Sequence, residues 1–424
     1  MKSGFVLKGD ICYSRNPNVL HTRQDGYLVC EKGRVTGVFE QLPERYGDLP
    51  LSDFGGKLIL PGLVDLHCHG PQFAFRGLGL DLELLDWLEA HTFPNEAKYR
   101  QEAYARTAYA MLVEELRRGP NTRVCLFGTI HLPATLLLMD LLEQSGLVTM
   151  VGKVNMDRNC PDILREESAA ASAADTRRWL KDCAGRYRNT RPILTPRFIP
   201  ACSGELMREL GQIQREYHLP LQSHLSENPK EVAWVKELCP QSSCYGDAYR
   251  AFGLFGAEVP TIMAHCVWSE EEELSLLKER GVWVAHCPQS NTNLSSGIAP
   301  VRRYLDRGLR VGLGSDVAGG CHTSIFRAMA DAIQVSKLRW RLVEDGEAPL
   351  SLEEAFYLGT VGGGSFFGKV GSFEPGWEMD ALIIDDAPLA APFPLTIPQR
   401  LARVVYLSDD RHIVAKYVGG SRIF

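Results

Sequence analysis

His67 and His69 stand one residue apart at the end of an apolar run, Leu63-Val-Asp-Leu-His-Cys-His-Gly70. Residues i and i+2 of an extended strand share a face, so both imidazoles can converge on one metal ion, as an adjacent pair could not. The chemistry indicated is metal chemistry at a strand end. The pair alone is thin support, since this spacing arises by chance and a buried histidine is more often a hydrogen-bonded core residue. The rest of the chain decides.

Apolar runs alternate with amphipathic segments through the middle of the chain, the signature of parallel βα units. Strands are expected at Leu63 to His67, Val124 to Thr129, Met150 to Asp157, Ile193 to Phe198, Leu221 to His224, Thr261 to His265, Val282 to His286 and Val311 to Ser315. Helices are expected between them, for example at Ala103 to Arg117, Ser172 to Cys183, Ser203 to Tyr217 and Ser269 to Arg280. Ser269 stands three residues before Glu272, which is capping-box spacing. Eight such strands predict a (β/α)8 TIM-like barrel, whose reactive groups lie at the C-terminal strand ends. Those ends carry His67 and His69 (strand 1), His224 (strand 5), His265 (strand 6) and Asp316 (strand 8). Such residues at four strand ends of one barrel point jointly to a single centre.

Shorter alternating runs flank this region. Residues 4 to 59 include Tyr27-Leu-Val-Cys and Arg34-Val-Thr-Gly-Val-Phe, joined through Glu31-Lys-Gly33 in a hairpin-like turn. Ala381-Leu-Ile-Ile, Val404-Val-Tyr-Leu and Ile413-Val-Ala-Lys-Tyr-Val read as strands near the other end. Neither set has enough core alone, so residues 1–60 and 370–424 are expected to pair into one small composite β-sandwich domain beside a barrel of residues 61–369.

The 424 residues are 45% hydrophobic and 23% charged, as in a well-packed soluble protein. A net charge of −6, with both signs mixed along the chain, offers no basic surface for nucleic acid or an anionic membrane, so the expected partner is a small molecule. The twelve cysteines are scattered from Cys12 to Cys321 without a CxxC pair, which favours a reducing, cytoplasmic compartment. The start, Met-Lys-Ser-Gly-Phe-Val-Leu-Lys-Gly, lacks a secretory core, and the longest apolar stretch, Leu136 to Leu142, is broken by Asp140 and falls short of the ~20 residues a membrane helix needs.

The motifs Pro61-Gly-Leu-Val-Asp-Leu-His-Cys-His69, Ser223-His-Leu-Ser-Glu227, Ala264-His-Cys266, Ala285-His-Cys-Pro-Gln-Ser-Asn291 and Gly312-Leu-Gly-Ser-Asp316 resemble the mononuclear deaminase branch of the amidohydrolase superfamily, over essentially the whole chain. More narrowly, Gly70-Pro-Gln-Phe-Ala-Phe75, Trp87-Leu-Glu-Ala-His-Thr-Phe-Pro94, Gly152-Lys-Val-Asn-Met-Asp157, Thr195-Pro-Arg-Phe198 and Asp316-Val-Ala-Gly-Gly320 resemble its guanine-deaminating members. The resemblance implies one zinc per chain held by His67, His69, His224 and Asp316. Three neutral imidazoles and a carboxylate suit Zn²⁺, which lowers the pKa of its bound water to about 7. Related enzymes use iron, and the sequence leaves that choice open. Binuclear relatives bridge two metals with a carboxylated lysine ending strand 4; here strand 4 ends in Thr195-Pro-Arg-Phe, and Lys153 belongs to strand 3.

By the same resemblance Glu227 shuttles protons to the purine N3 and to the departing ammonia, and His265 hydrogen-bonds the attacking hydroxide. Asp316 accepts the water's proton while remaining a ligand, and His286 has a supporting or structural part. Gln72, Arg197 and Phe198, with His69, Glu227 and Asp316, would bind the substrate. An arginine fork suits the N7 and O6 acceptors of guanine, whereas adenine would turn an amino group toward it. The bland alternatives are an Arg197 paired with a carboxylate and a Gln72 capping a loop. The implied reaction is guanine and water to xanthine and ammonia, by attack on C2, in a homodimer. The rivals are an amidohydrolase acting on 8-oxoguanine, a pterin or a triazine, and a non-catalytic barrel scaffold, which would have damaged metal positions. A zinc site of the cytidine-deaminase type is excluded by the absence of PCxxC.

Overall fold

The fold is given by a computed structural model that describes residues 4–424. Met-Lys-Ser, the beginning of the start read above as lacking a secretory core, lies outside the described residues. Among the described residues no helix is long and apolar enough to cross a membrane.

Eight parallel strands form two four-stranded arcs. The first contains β5 (Leu63–His69), β6 (Asn121–Phe127), β7 (Val148–Gly152) and β9 (Thr190–Pro192) in that order. The second contains β11 (Leu221–Leu225), β12 (Thr261–His265), β13 (Trp283–His286) and β14 (Arg310–Leu313). Every residue of β5 and β6 is buried, as parallel strands covered on both faces require. A short parallel pair, β8 (Val154–Asn155) with β10 (Thr195–Pro196), continues the strand ends near Arg197.

The arcs meet along both flanks. On one, Leu194 N donates to Pro220 O at 2.8 Å and Gln222 N to Leu194 O at 2.9 Å. On the other, Asp316 N donates to His67 O at 2.8 Å and His69 N to Val317 O at 3.1 Å. Gly312 on β14 lies against Leu66 of β5 and the backbone of Gly363; a Cβ there would stand 2.8 Å from Gly363 Cα, which cannot give way as a side chain can, so the position demands glycine.

Six of the eight expected strands form with ends shifted by a few residues. The expected Met150 to Asp157 is broken into β7 and β8, and in place of Ile193 to Phe198 the arc strand β9 ends before it at Pro192 while the short β10 lies within it. The expected helices form at 102–118, 169–183, 204–217 and 271–279. Glu102–Arg118 buries Ala105, Ala108, Tyr109, Leu112 and Leu116, one face at helical spacing. Two local readings are corrected. Ser269 does not cap the helix Glu271–Glu279; the residue before that helix is Glu270, and the Ser269 hydroxyl donates to Glu273 Oε2 at 2.5 Å instead. The segment Val404-Val-Tyr-Leu is not a strand but the end of a helix, Ile397–Leu407, started by a Thr396/Gln399 capping box. Its buried residues Leu401, Val404 and Val405 have helical spacing, which a four-residue window centred on two valines conceals.

The remaining strands share one seven-stranded sheet in the order β17-β16-β15-β4-β1-β2-β3, where β1 is Gly4–Asn16, β2 Val19–Glu31, β3 Arg34–Phe39, β4 Leu51–Pro61, β15 Ala381–Ile384, β16 Ile413–Val418 and β17 Ser421–Arg422. The turn between β2 and β3 places Lys32 and Gly33 at positive φ and sets Glu31 opposite Arg34, a tight hairpin. Strands from the two ends of the chain meet where β15 runs antiparallel to β4, pairing Ile383 with Ile59. Strand β4 runs almost directly into β5, so the sheet anchors the strand that carries the histidine pair.

Candidate active site

His67 and His69 end β5 facing the gap between the arcs, and Asp65 fixes the strand end that presents them. Its buried carboxylate accepts from His67 N at 3.1 Å, from Ser315 N at 3.0 Å and from the Ser315 hydroxyl at 2.5 Å, tying β5 to the loop that carries Asp316. His265 and Asp316 have φ of 72° and 45°, left-handed conformations that non-glycine residues rarely adopt. The chain turns sharply at both strand ends, and both side chains point to the same place.

The convergence is tight. Asp316 Oδ1 is 3.1 Å from His67 Nε2 and 3.4 Å from His69 Nε2, and the Nε2 atoms of His69 and His224 are 3.2 Å apart. Donors bound tetrahedrally at zinc distances stand about 3.3–3.6 Å from one another, so these spacings fit within a few tenths of an ångström. Neither ring nitrogen of buried His67 makes a well-formed hydrogen bond, and its Nε2 faces Asp316 Oδ1 as two ligands of one ion would. His224 Nδ1 lies 2.6 Å from Arg197 O, which directs Nε2 toward the cluster. Burial, reinforced by the neighbouring His67, holds His69 and His224 well below the usual histidine range, so they stay neutral and available as ligands. Burial would raise Asp316, but His67 and the other imidazoles outweigh it and keep the carboxyl ionised. The possible metal-holding groups among the described residues are His67 with His69 and His224, and His67 with His265 and Asp316. Both share His67 and describe one centre.

Glu227 stands beside it, with Oε2 3.4 Å from His265 Nε2 and Oε1 accepting from the Ser296 hydroxyl at 3.2 Å. Burial, and then the negative charge of Asp316, raise its pKa well above the ordinary carboxyl value. His265 Nδ1 is 2.8 Å from Asn291 Oδ1, and its Nε2 is 3.7 Å from Asp316 Oδ2. His286 is buried without partners for either ring nitrogen, and burial lowers it to about 3.

These groups open into a cavity walled by Leu84, Trp87, Leu88 and Phe198, with Gln72 and Arg197 at its polar side. The Arg197 fork does meet a carboxylate: Nη1 donates to Glu96 Oε2 at 2.7 Å and Nη2 to Glu96 Oε1 at 3.2 Å. Gln72 joins them, donating from Nε2 to Glu96 Oε1 at 2.9 Å and accepting from Ala318 N at 3.1 Å. Both alternatives weighed from the sequence are thus met, yet both side chains still line the cavity, and the fork has five donors of which Glu96 takes two.

Residues 58–423 match the model of the amidohydrolase family. The chain belongs to that family. Guanine deaminase of Dictyostelium discoideum is 38% identical to this amidohydrolase over 379 residues, 88% of this chain and 83% of the relative. Guanine deaminase of Escherichia coli K12 is 34% identical over 419 residues, 95% and 91% of the two chains. A crystal structure of guanine deaminase from C. acetobutylicum, with guanine bound in its active site, superposes with a TM-score of 0.96 at 45% identity, covering 99% of this chain and 100% of that one.

The structure of this amidohydrolase gathers every residue expected at the site, with His286 alone set apart from the donors. It adds Glu96, Asp65, Ser296, Asn291 and Glu231, which the sequence reading passed over. Glu231 Oε2 accepts from Glu227 N at 2.9 Å and Asn228 N at 3.3 Å, while Tyr245 donates to its other oxygen at 2.7 Å. Asn228 and Glu231 form a capping box around Pro229, and that N-x-x-E spacing was a readable signal. Nothing local marks Glu96, whose partner Arg197 lies 101 residues away.

Proposed function

We propose that this amidohydrolase converts guanine and water into xanthine and ammonia. The observation that carries the reading is the likeness over nearly the whole chain to a guanine deaminase whose active site holds guanine, combined with a cavity here that sets an arginine and a glutamine beside a histidine and carboxylate cluster. We read His67, His69, His224 and Asp316 as the ligands of one zinc ion. Bound there, zinc would supply a water acidified enough to react at neutral pH.

The side chains do the rest. Arg197 and Gln72 grip the polar edge of the base and Phe198 walls the pocket. Glu227 donates a proton to ring N3, making C2 more electrophilic, and Asp316 takes a proton from the incoming water. His265 donates a hydrogen bond to the oxygen arriving at C2. The C2–N bond then breaks: Glu227 relays the hydroxyl proton of the tetrahedral centre to the amino group, which leaves as ammonia, and the proton on Asp316 returns to Glu227, so that C2 keeps the oxygen as a carbonyl and both carboxyls end as they began. In the same reading the two arcs act as a (β/α)8 barrel over residues 61–369, with residues 1–60 and 370–424 as a composite domain. A homodimer rests on the family likeness alone, and a cytoplasmic location on the scattered cysteines.

Purified protein supplied with zinc is expected to release ammonia and xanthine from guanine. No turnover of guanine beside rapid turnover of 8-oxoguanine, a pterin or a triazine would replace the substrate and leave the reaction class standing.

A further inference from the structure

We infer that Glu96 is a specificity-determining positioning residue, which cancels the charge of Arg197 and orients Gln72 so that the cavity accepts neutral guanine and disfavours the xanthine anion. The inference rests on the guanine reading above and extends it to how product is distinguished from substrate.

Glu96 and Arg197 are 4% exposed and Gln72 is 2% exposed, so water screens this cluster little. One carboxylate meets the guanidinium through two hydrogen bonds, and the same Oε1 accepts from Gln72 Nε2. With Ala318 N donating to Gln72 Oε1, the amide is held at both ends, so which face of it offers a donor and which an acceptor is fixed. Glu96 itself does not line the cavity, so it acts through the two residues that do.

Charge decides the second half of the argument. A buried guanidinium without a counter-charge is a strong anion site. The substrate is a neutral purine, whereas hydrolysis replaces the amino group of C2 by a carbonyl and yields xanthine, a stronger ring acid that ionises at mildly alkaline pH. An uncompensated Arg197 would hold that anion better than it holds guanine. Paired with Glu96, the corner offers directional donors without net charge, and product has no electrostatic reason to stay.

The test compares the Michaelis constant for guanine with the inhibition constant for xanthine at mildly alkaline pH, on zinc-loaded enzyme of verified metal content. In Glu96→Gln, guanine is expected to bind more weakly and xanthine more tightly, so that the ratio of xanthine inhibition constant to guanine Michaelis constant falls at least about tenfold. A folded, metal-loaded variant with an unchanged ratio overturns the inference, because a purely structural role for Glu96 would weaken both ligands together. Should that variant not fold, Glu96→Gln combined with Arg197→Met removes both charges at once. It is expected to lose guanine affinity without gaining xanthine affinity, and tighter xanthine binding there would equally overturn the idea. Wild-type enzyme inert toward guanine would instead defeat the functional reading itself.

Discussion

Burial and the negative charge of Asp316 raise the Glu227 carboxyl well above the ordinary range, which suits it to the acid's part in the proposed reaction. Glu227→Gln keeps the shape and a hydrogen-bond acceptor for Ser296 but cannot exchange protons. It is expected to retain metal while kcat falls by about 10²- to 10⁴-fold; turnover near the wild-type rate would refute the shuttle. The sign of the pH effect follows. A carboxyl whose pKa is raised stays protonated to higher pH, so wild-type kcat declines on the alkaline side as Glu227 ionises, and the glutamine variant's residual rate lacks that limb. At this scale much was legible: His67, His69, His224, His265, Asp316 and Glu227 are chemically conspicuous residues at recognisable strand ends. Glu96 and Asp65 were not, because a buried carboxylate is identified by its partners, and those lie far along the chain.

Elements carry their own signals and their own blind spots. Strand β5 declared itself through an unbroken apolar run, whereas the Val404 segment hid a helical period inside a β-branched pair. Strand β16 was readable as a strand, but nothing in its sequence says that Lys416 is fully buried. Its Nζ donates to Leu116 O and Gly119 O at 2.8 Å each and to Arg117 O at 3.3 Å, closing the C-terminal end of the helix Glu102–Arg118. Those carbonyls have no intrahelical partners, so the buried Lys416 amine supplies the donors that the helix end lacks. Lys416→Met should therefore lower unfolding free energy by at least about 2 kcal/mol, read from the urea midpoint, with activity per folded molecule unchanged. A shift below about 0.5 kcal/mol would show that water satisfies those carbonyls equally well.

Across the whole molecule the proposed metal donors come from both arcs, β5 in one and β11 with the segment after β14 in the other, so an ion bound between them would link the two. Prolonged chelation is expected to abolish activity and to lower the thermal midpoint, with zinc restoring both. An ion present at a thousand times its dissociation constant contributes about 4 kcal/mol to the folded state. Chelated protein that melts unchanged and stays active would show that the cluster needs no metal. The alternation of strands and helices was legible at this scale because periodicity is local. Less so was the join between the arcs and the terminal sheet, where buried Arg123 of β6 pairs with Asp380 through hydrogen bonds of 2.7 and 3.2 Å.

The spread of those donors along the chain also sets a schedule. At about 5–20 residues per second, a ribosome exposes His67 and His69 well before Asp316 exists, and Asp380 follows later still. A nascent chain can offer an ion only part of the proposed cage, which is complete only once Asp316 has been made. A chain stalled before Asp316 would lack one donor of that cage and the closing flank between the arcs together.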